Sequence, residues 1–370
     1  MSRLVAGTCS VRPALDLLID KDDLHECRLV EADPPAPADG QALLSVELFG
    51  LTSNNITYAQ FGRAMSYWDF FPAEEGWGRM PVWGFADVAE SRVAGLPEGT
   101  RVYGYLPPST ELLVTPVHIG ERGFVDGSPH RSALPAAYNG YTATSADPVY
   151  EAGTEDRQML LRPLFFTSWL LDDFLGDAHV FGAELVVISS ASSRTASALA
   201  YLLSQRDAAE VVGLTSQRSV AFTEGLGCYD AVLAYDRLEE LPDGRAVYVD
   251  ISGDADVRAG VHGRYAERLA HSAVVGATHH DRMGEVPPDL PGPRPAFFFA
   301  PDRVAARSAE WGREGLEGRI ADSWHPYVSW TEGWLGVRHE RGGPALRSTY
   351  LELLDGHVDP AVADVLTLQQ

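Results

Sequence analysis

An α/β chain of two domains is what this sequence predicts, a small β-barrel followed by a doubly wound parallel sheet. Three observations carry the prediction. The first third alternates short strand-like runs with Gly and Pro turns, the pattern of a barrel or sandwich. From about residue 161 strands alternate with helices of roughly 10–15 residues, the rhythm of βαβ units. Residues 184–203, ELVVISSASSRTASALAYLL, join a β-branched run to an alanine-rich helix through a tight turn of small residues. That is the shape of a dinucleotide-binding βα turn, in which a pyrophosphate seats on the helix N-terminus. At 370 residues the chain is also too long for one ordinary core, and two domains follow.

In chain order, 41–51 is a strand-like run entered from a proline-rich turn at 34–39. Further runs follow at 82–93, 101–107 and 111–119, and residues 120–160 read as one irregular excursion rich in Pro, Asp, Tyr and Gly. An apolar helix is expected over 161–175, before a strand at 185–189. Helix 194–205 leads to strand 210–216, helix 218–226 to strand 231–235, and strand 246–252 to helix 254–269 and strand 271–278. Helices over 302–325 and 344–354 and an apolar run at 365–368 close the chain.

Composition bounds the partners. There are 29 Lys and Arg against 52 Asp and Glu, a net charge of −23, and such a field repels nucleic acid and anionic membranes. The simplest role for the acidity is solubility. Cys9, Cys27 and Cys228 are odd in number and far apart, so they form neither a disulfide framework nor a metal clasp. No basic and apolar leader opens the sequence, and no apolar run approaches the roughly 20 residues of a membrane helix. The expectation is a soluble, cytoplasmic protein.

The chain resembles the medium-chain dehydrogenase/reductase superfamily, nearest its zinc-free, quinone-oxidoreductase-like branch. DGQALLSVELFGLTSNNITYAQFG (39–62) is similar to that family's GEVLVRVEAAGLNPVDxxxRxG opening. EVVGLTSQRSVAFTEGLGCYDAVLAYD (210–236) resembles its second strand, helix and third strand. AVYVDISGD and HSAVVGAT resemble its later strands, and PALRSTYLELLDGHVDPAVADVLTL its closing segment. Within the superfamily, YWDFFPAEEGWGRMPVWGFADV (67–88) is similar to a bacterial and fungal group known as a domain of unknown function. The resemblance implies a GroES-like β-barrel over 1–160, completed by 334–370, and a Rossmann-type nucleotide-binding domain over 161–333. It also implies a homodimer. Fold alone does not fix chemistry.

The glycine positions of the nucleotide fingerprint read Ser190, Ser193 and Ala196. Serine side chains narrow the approach of a pyrophosphate, yet their hydroxyls and Arg194 can also bind one, and the helix still offers amides through Thr195. After the second strand an NAD site usually offers an acid to the ribose. Here Thr215, Ser216 and Arg218 stand in its place, a set suited to a 2′-phosphate. Tyr235 matches the family's tyrosine at the adenine end, and Gly276 and Thr278 close the fifth strand. NADPH is the cofactor these residues imply. The stretch matching the zinc enzymes' His–Glu motif reads PVWGFAD (81–87), and His279-His280-Asp281 is the one tight His/acid group, so no metal is expected.

For proton transfer, the polar positions that face the nicotinamide in zinc-free relatives match Asn54, Asn55 and Tyr58, with Tyr67 nearby. A solvated Arg218, a degenerate nucleotide turn, and Asn and Tyr as ordinary turn and core residues are the competing explanations. The expected function is a zinc-independent, NADPH-dependent reductase of an activated C=C or C=O bond in an enone, quinone or enoyl compound. The substrate is expected to be a small apolar or carbonyl molecule, held between the domains against the aromatic segment 67–83. Two alternatives stay open: a cofactor-independent lyase or isomerase using proton abstraction, and a non-catalytic protein that binds NADPH or a metabolite.

Overall fold

The computed structural model of the protein describes residues 13–275, 289–356 and 359–369. The chain divides into two compact units: one runs to Leu160 and resumes at Val337, and the other spans Leu161–Gly336.

The first unit is built on antiparallel pairing. Its strands are β1 (Ala14–Asp20), β2 (Cys27–Ala32), β3 (Ala42–Leu51), β4 (Trp77–Gly78), β5 (Val82–Ser91), β6 (Arg101–Leu106), β7 (Glu111–Val114), β8 (Pro116–Gly120), β9 (Gly123–Asp126) and β10 (Gly140–Ala143). Helix α1 (Ser53–Gln60) follows β3 directly. β2-β1-β4 form a small sheet, and β3, β5, β6, β10, β9 and β8 are successive neighbours in a nine-stranded one. Alternation sets the core: Ala42, Leu44 and Val46 of β3 and Ala86 and Val88 of β5 point into one cluster with Val102 and Leu106.

The stretch 120–160 is not an irregular excursion. β9 and β10 lie in the main sheet, with Gly140↔Val125 to Thr142↔Gly123 in register. Each has only four residues, too few for period-2 alternation to register among the flanking Pro and Gly. Likewise the run 111–119 breaks at Thr115 into β7 and β8.

The second unit alternates strand and helix. Helix α2 (Glu155–Asp177) leads to β11 (Leu185–Ser189), α3 (Arg194–Ser204), β12 (Glu210–Thr215), α4 (Val220–Gly225), β13 (Ala231–Ala234), β14 (Ala246–Asp250), α5 (Ala255–Tyr265), β15 (Leu269–Val274), β16 (Ala296–Phe297) and α6 (Ala300–Thr331). All five pairings are parallel, in the order β13-β12-β11-β14-β15-β16. This is the strand order of a dinucleotide-binding sheet, with the crossover point at β11 and β14. Val186 and Ile188 of β11 pack against Leu171 and Leu175 of α2 and Leu199 and Leu203 of α3. Leu185 and Val187 face the other way, toward Val257 and Val261 of α5. Helices thus cover both faces, and the strand interiors are largely apolar, as in β11 and β14.

Two boundaries differ from expectation. α5 ends at Tyr265, because Ala266 takes a φ of 46°, and β15 begins at Leu269 rather than 271. α6 runs from Ala300 to Thr331, with non-helical backbone at Gly312 (φ 72°). β17 (Gly336–Arg341), α7 (Gly343–Leu354) and β18 (Val362–Thr367) return the chain to the first unit, where β18 pairs antiparallel with β3.

Candidate functional site

The β11–α3 turn keeps a glycine geometry without glycine. Ser190 stands at φ 55°, the left-handed region in which a side chain is strained. Its surroundings hold it there. The Ser190 amide donates to the Tyr235 phenol oxygen at 3.0 Å, and its carbonyl accepts from the Ser193 amide at 2.8 Å. The Ala191 amide donates to the Leu214 carbonyl at 2.9 Å, while Tyr229 donates its hydroxyl to the Ala191 carbonyl at 2.8 Å. Thr215 donates to Ser192 Oγ at 3.1 Å. Burial, partly offset by the hydrogen bonds from Ser190, pushes the Tyr235 phenol up to about 12, so it stays neutral.

Ser193 caps α3, its Oγ accepting from the Ala196 amide at 3.2 Å. Ala196 is fully buried against the sheet, the packing role of the fingerprint's third glycine. Below the turn lies a polar network that sequence reading missed. Asp250, fully buried at the end of β14, accepts on Oδ1 from Ser189 Oγ (3.0 Å), Ser252 Oγ (3.1 Å) and the Gly253 amide (2.9 Å). Its Oδ2 receives Arg258 Nε at 2.7 Å, which neutralises the carboxylate. The DISGD run held the signal: a strand ending in Asp, then Ser and Gly, ahead of a helix that carries an Arg.

The residues present fit a dinucleotide phosphate. The turn conformation is retained, Arg218 is exposed on the short 3₁₀ turn Gln217–Ser219, and no carboxylate stands among residues 215–218. Gly276, Thr278 and His279-His280-Asp281 lie outside the described residues. Among the described residues no group of three His, Cys, Asp or Glu is arranged to hold a metal.

In the first unit the candidate proton-transfer residues meet on α1 and the segment after it. Thr52 and Asn55 form a capping box: the Asn55 side-chain oxygen accepts from the Thr52 amide at 2.8 Å, and its amide donates to the Pro81 carbonyl at 2.9 Å. Asn55 is buried, and both ends of its side chain are engaged in these contacts. Asn54 Nδ2 donates to the Tyr58 phenol oxygen at 2.7 Å, and Trp83 Nε1 donates to the same oxygen at 3.2 Å. The Tyr58 ring lies 4.7 Å from Tyr67 and 5.5 Å from Tyr105, centroid to centroid. Tyr67 in turn shares a hydrogen bond with the Tyr138 hydroxyl. Phe70, Phe71 and Trp83 complete a cluster of rings. Burial raises the Tyr58, Tyr67, Tyr105 and Tyr138 phenols, so all four keep their protons at neutral pH. Tyr105 and Tyr138 were not anticipated, because one lies on β6 and the other on the 3₁₀ turn Ala136–Tyr138, and residues so far apart in the chain give no local spacing signal.

The family described as Protein of unknown function (DUF2855) matches residues 49–359. The chain belongs to that family. No curated protein matches it. Among solved structures, this DUF2855 chain is similar to CurA from Vibrio vulnificus, at 14% identity over 96% of this chain and 99% of that one, with a TM-score of 0.58. A crystal structure of CurA in complex with NADPH matches at 13% identity over 93% and 94%, with a TM-score of 0.58. A mutant form of enoyl thioester reductase from Candida tropicalis matches at 12% identity over 96% and 99%, with a TM-score of 0.57. At these identities the likeness is one of fold. The DUF2855 chain has the fold of medium-chain dehydrogenases/reductases, a GroES-like barrel unit and a Rossmann-type sheet. No helix among its described residues is long and apolar enough to cross a membrane.

Proposed function

We propose that the chain is a zinc-independent, NADPH-dependent reductase of an activated C=C or C=O bond. The observation that carries the reading is the β11–α3 turn, where Ser190 holds the left-handed backbone of a fingerprint glycine at the crossover point of a parallel sheet. That a structural neighbour was crystallised with NADPH agrees with it.

In this reading the first-turn amides of α3 and the Ser192 hydroxyl receive the pyrophosphate, and Ser216 and Arg218 receive the 2′-phosphate. Thr215 is buried and bonded to Ser192, which makes it a support for the turn. NADPH, when bound, supplies a hydride to the acceptor carbon. The chain's own work is to orient the substrate among apolar rings and to give a proton to the developing oxyanion. Tyr58 is the donor: both hydrogen bonds on its oxygen are ones it accepts, which leaves its proton to give. Enones, quinones and enoyl compounds are the acceptors in view, and the ring cluster around Tyr58 supports a flat, apolar one.

Calorimetric titration with NADPH, NADP⁺ and NADH tests the proposal. Micromolar NADPH binding is expected, weakened about tenfold or more in Arg218→Ala with NADH binding unchanged, as the loss of one charge-assisted phosphate contact requires. Absence of any dinucleotide binding at millimolar concentration would sink the reductase reading. It would favour cofactor-free proton transfer, which the engagement of the Ser190 amide by Tyr235 also fits.

A further inference from the structure

We propose that Asn54 and Trp83 are positioning residues that clamp the Tyr58 oxygen from two sides and leave its hydroxyl proton to be given as an acid. The proposal rests on the reductase reading and deepens its proton-transfer step.

The argument starts from what each group can do. An indole N–H only donates, so at the 3.2 Å contact with Trp83 the Tyr58 oxygen must accept. Asn54 Nδ2 supplies a second donor at 2.7 Å. A phenol oxygen has two lone pairs and one proton. With both lone pairs engaged, the proton takes the remaining direction, and among the described residues no acceptor receives it. The clamp is made by the local fold. Asn54 and Tyr58 are four apart on α1 and so share one face of it. Trp83 comes from β5, where Gly50↔Trp83 pairing with β3 brings it beside the start of α1. The Trp83 ring is itself fixed by stacking on Tyr103 at 5.5 Å.

Such a clamp has a chemical consequence. When Tyr58 gives its proton to a substrate oxyanion, the O–H bond breaks, a new O–H bond forms on the substrate, and a phenolate remains. Two donors already aimed at that oxygen stabilise the phenolate without rearrangement. Solvent returns the proton afterwards. The titratable groups facing Tyr58 are the phenols of Tyr67, Tyr103, Tyr105 and Tyr138. None of them adds a cation, so stabilisation falls to the amide and the indole.

The test places 3-fluorotyrosine at position 58 of the full chain and follows its ¹⁹F signal against pH, with no cofactor present. Trp83→Phe keeps a ring and drops the N–H, and it is expected to lower the acidity constant of residue 58 about tenfold. Asn54→Ala is expected to do the same, and Asn54→Asp, which offers an acceptor, to lower it further. In turnover, kcat should fall about tenfold in Trp83→Phe with NADPH affinity unchanged. An unchanged titration midpoint in a folded Trp83→Phe protein overturns the proposal. Because the fluorine titration needs neither NADPH nor turnover, it reads the clamp even if the reductase reading fails. Should Asn54→Asp match wild type, the Asn54 amide presents its oxygen to Tyr58, and the two-donor clamp is refuted.

Discussion

Replacing Arg258 by Met removes the cation paired with Asp250 while keeping most of the aliphatic stem. Asp250 is fully buried, and the guanidinium contact is 2.7 Å, with Arg258 itself 7% exposed. Three neutral donors on Oδ1 remain, from Ser189, Ser252 and Gly253, so the carboxylate keeps its hydrogen bonds but loses its counter-charge. Breaking one side of a buried pair costs about 3–5 kcal/mol, mostly from the charge left behind. For a unit of this size each kcal/mol moves the melting point about 2–4 °C, so a fall of roughly 6–20 °C is expected. The double variant Asp250→Asn/Arg258→Met removes both charges and is expected to melt well above the single one. Circular dichroism melts of the three proteins decide the matter. A fall of under about 2 °C in Arg258→Met, or a double variant no better than the single, refutes the claim that the pair is a compensated buried charge beneath the turn.

Three further outcomes follow from the same geometry. Tyr235→Phe deprives the buried Ser190 amide of its acceptor and is expected to cost about 1–3 kcal/mol in urea melts. Gly84→Ala places a Cβ 2.3 Å from the Leu48 carbonyl oxygen, so β3 and β5 must part, and about 1–3 kcal/mol of stability is lost in the same assay. Burial pushes the Cys228 thiol from near 9 up to about 12, so the folded state holds a proton that the unfolded state gives up. That contribution is whole below pH 9 and is lost as pH rises toward 12, at up to about 1.4 kcal/mol per pH unit. Melts of Cys228→Ala between pH 8 and 11 should therefore show a flatter alkaline limb than wild type.

How much of this was legible depended on how local each signal is. The parallel sheet was legible nearly strand by strand, because β11, β12 and β14 are apolar runs bounded by turn residues and separated by helices. β1, β2, β9 and β10 were not: β9 and β10 have four residues each, and β1 and β2 flank a charged turn and mix polar with apolar residues without a clean alternation. β1 closes on β2 and β4, and β10 lies between β6 and β9.

The candidate site divides the same way. The turn carrying Ser190, Ser193 and Ala196 was readable because a βα turn is a local motif, and their departure from glycine was visible at once. What was not visible is that Ser190 adopts the glycine conformation regardless. That conformation is paid for by residues 45, 38 and 23 positions from the turn residues they bond, Tyr235, Tyr229 and Leu214. A fingerprint names the residues a turn contains, while the strain a turn can bear is set by its surroundings. Loss of the fingerprint glycines is therefore weak grounds for declaring a nucleotide turn defunct when a phenol stands ready to receive the strained amide. By the same logic Asn54 and Tyr58 were readable as a helical pair, but the indole that completes their clamp arrives from β5, 25 residues beyond Tyr58. Only the pairing of β3 with β5 reveals it.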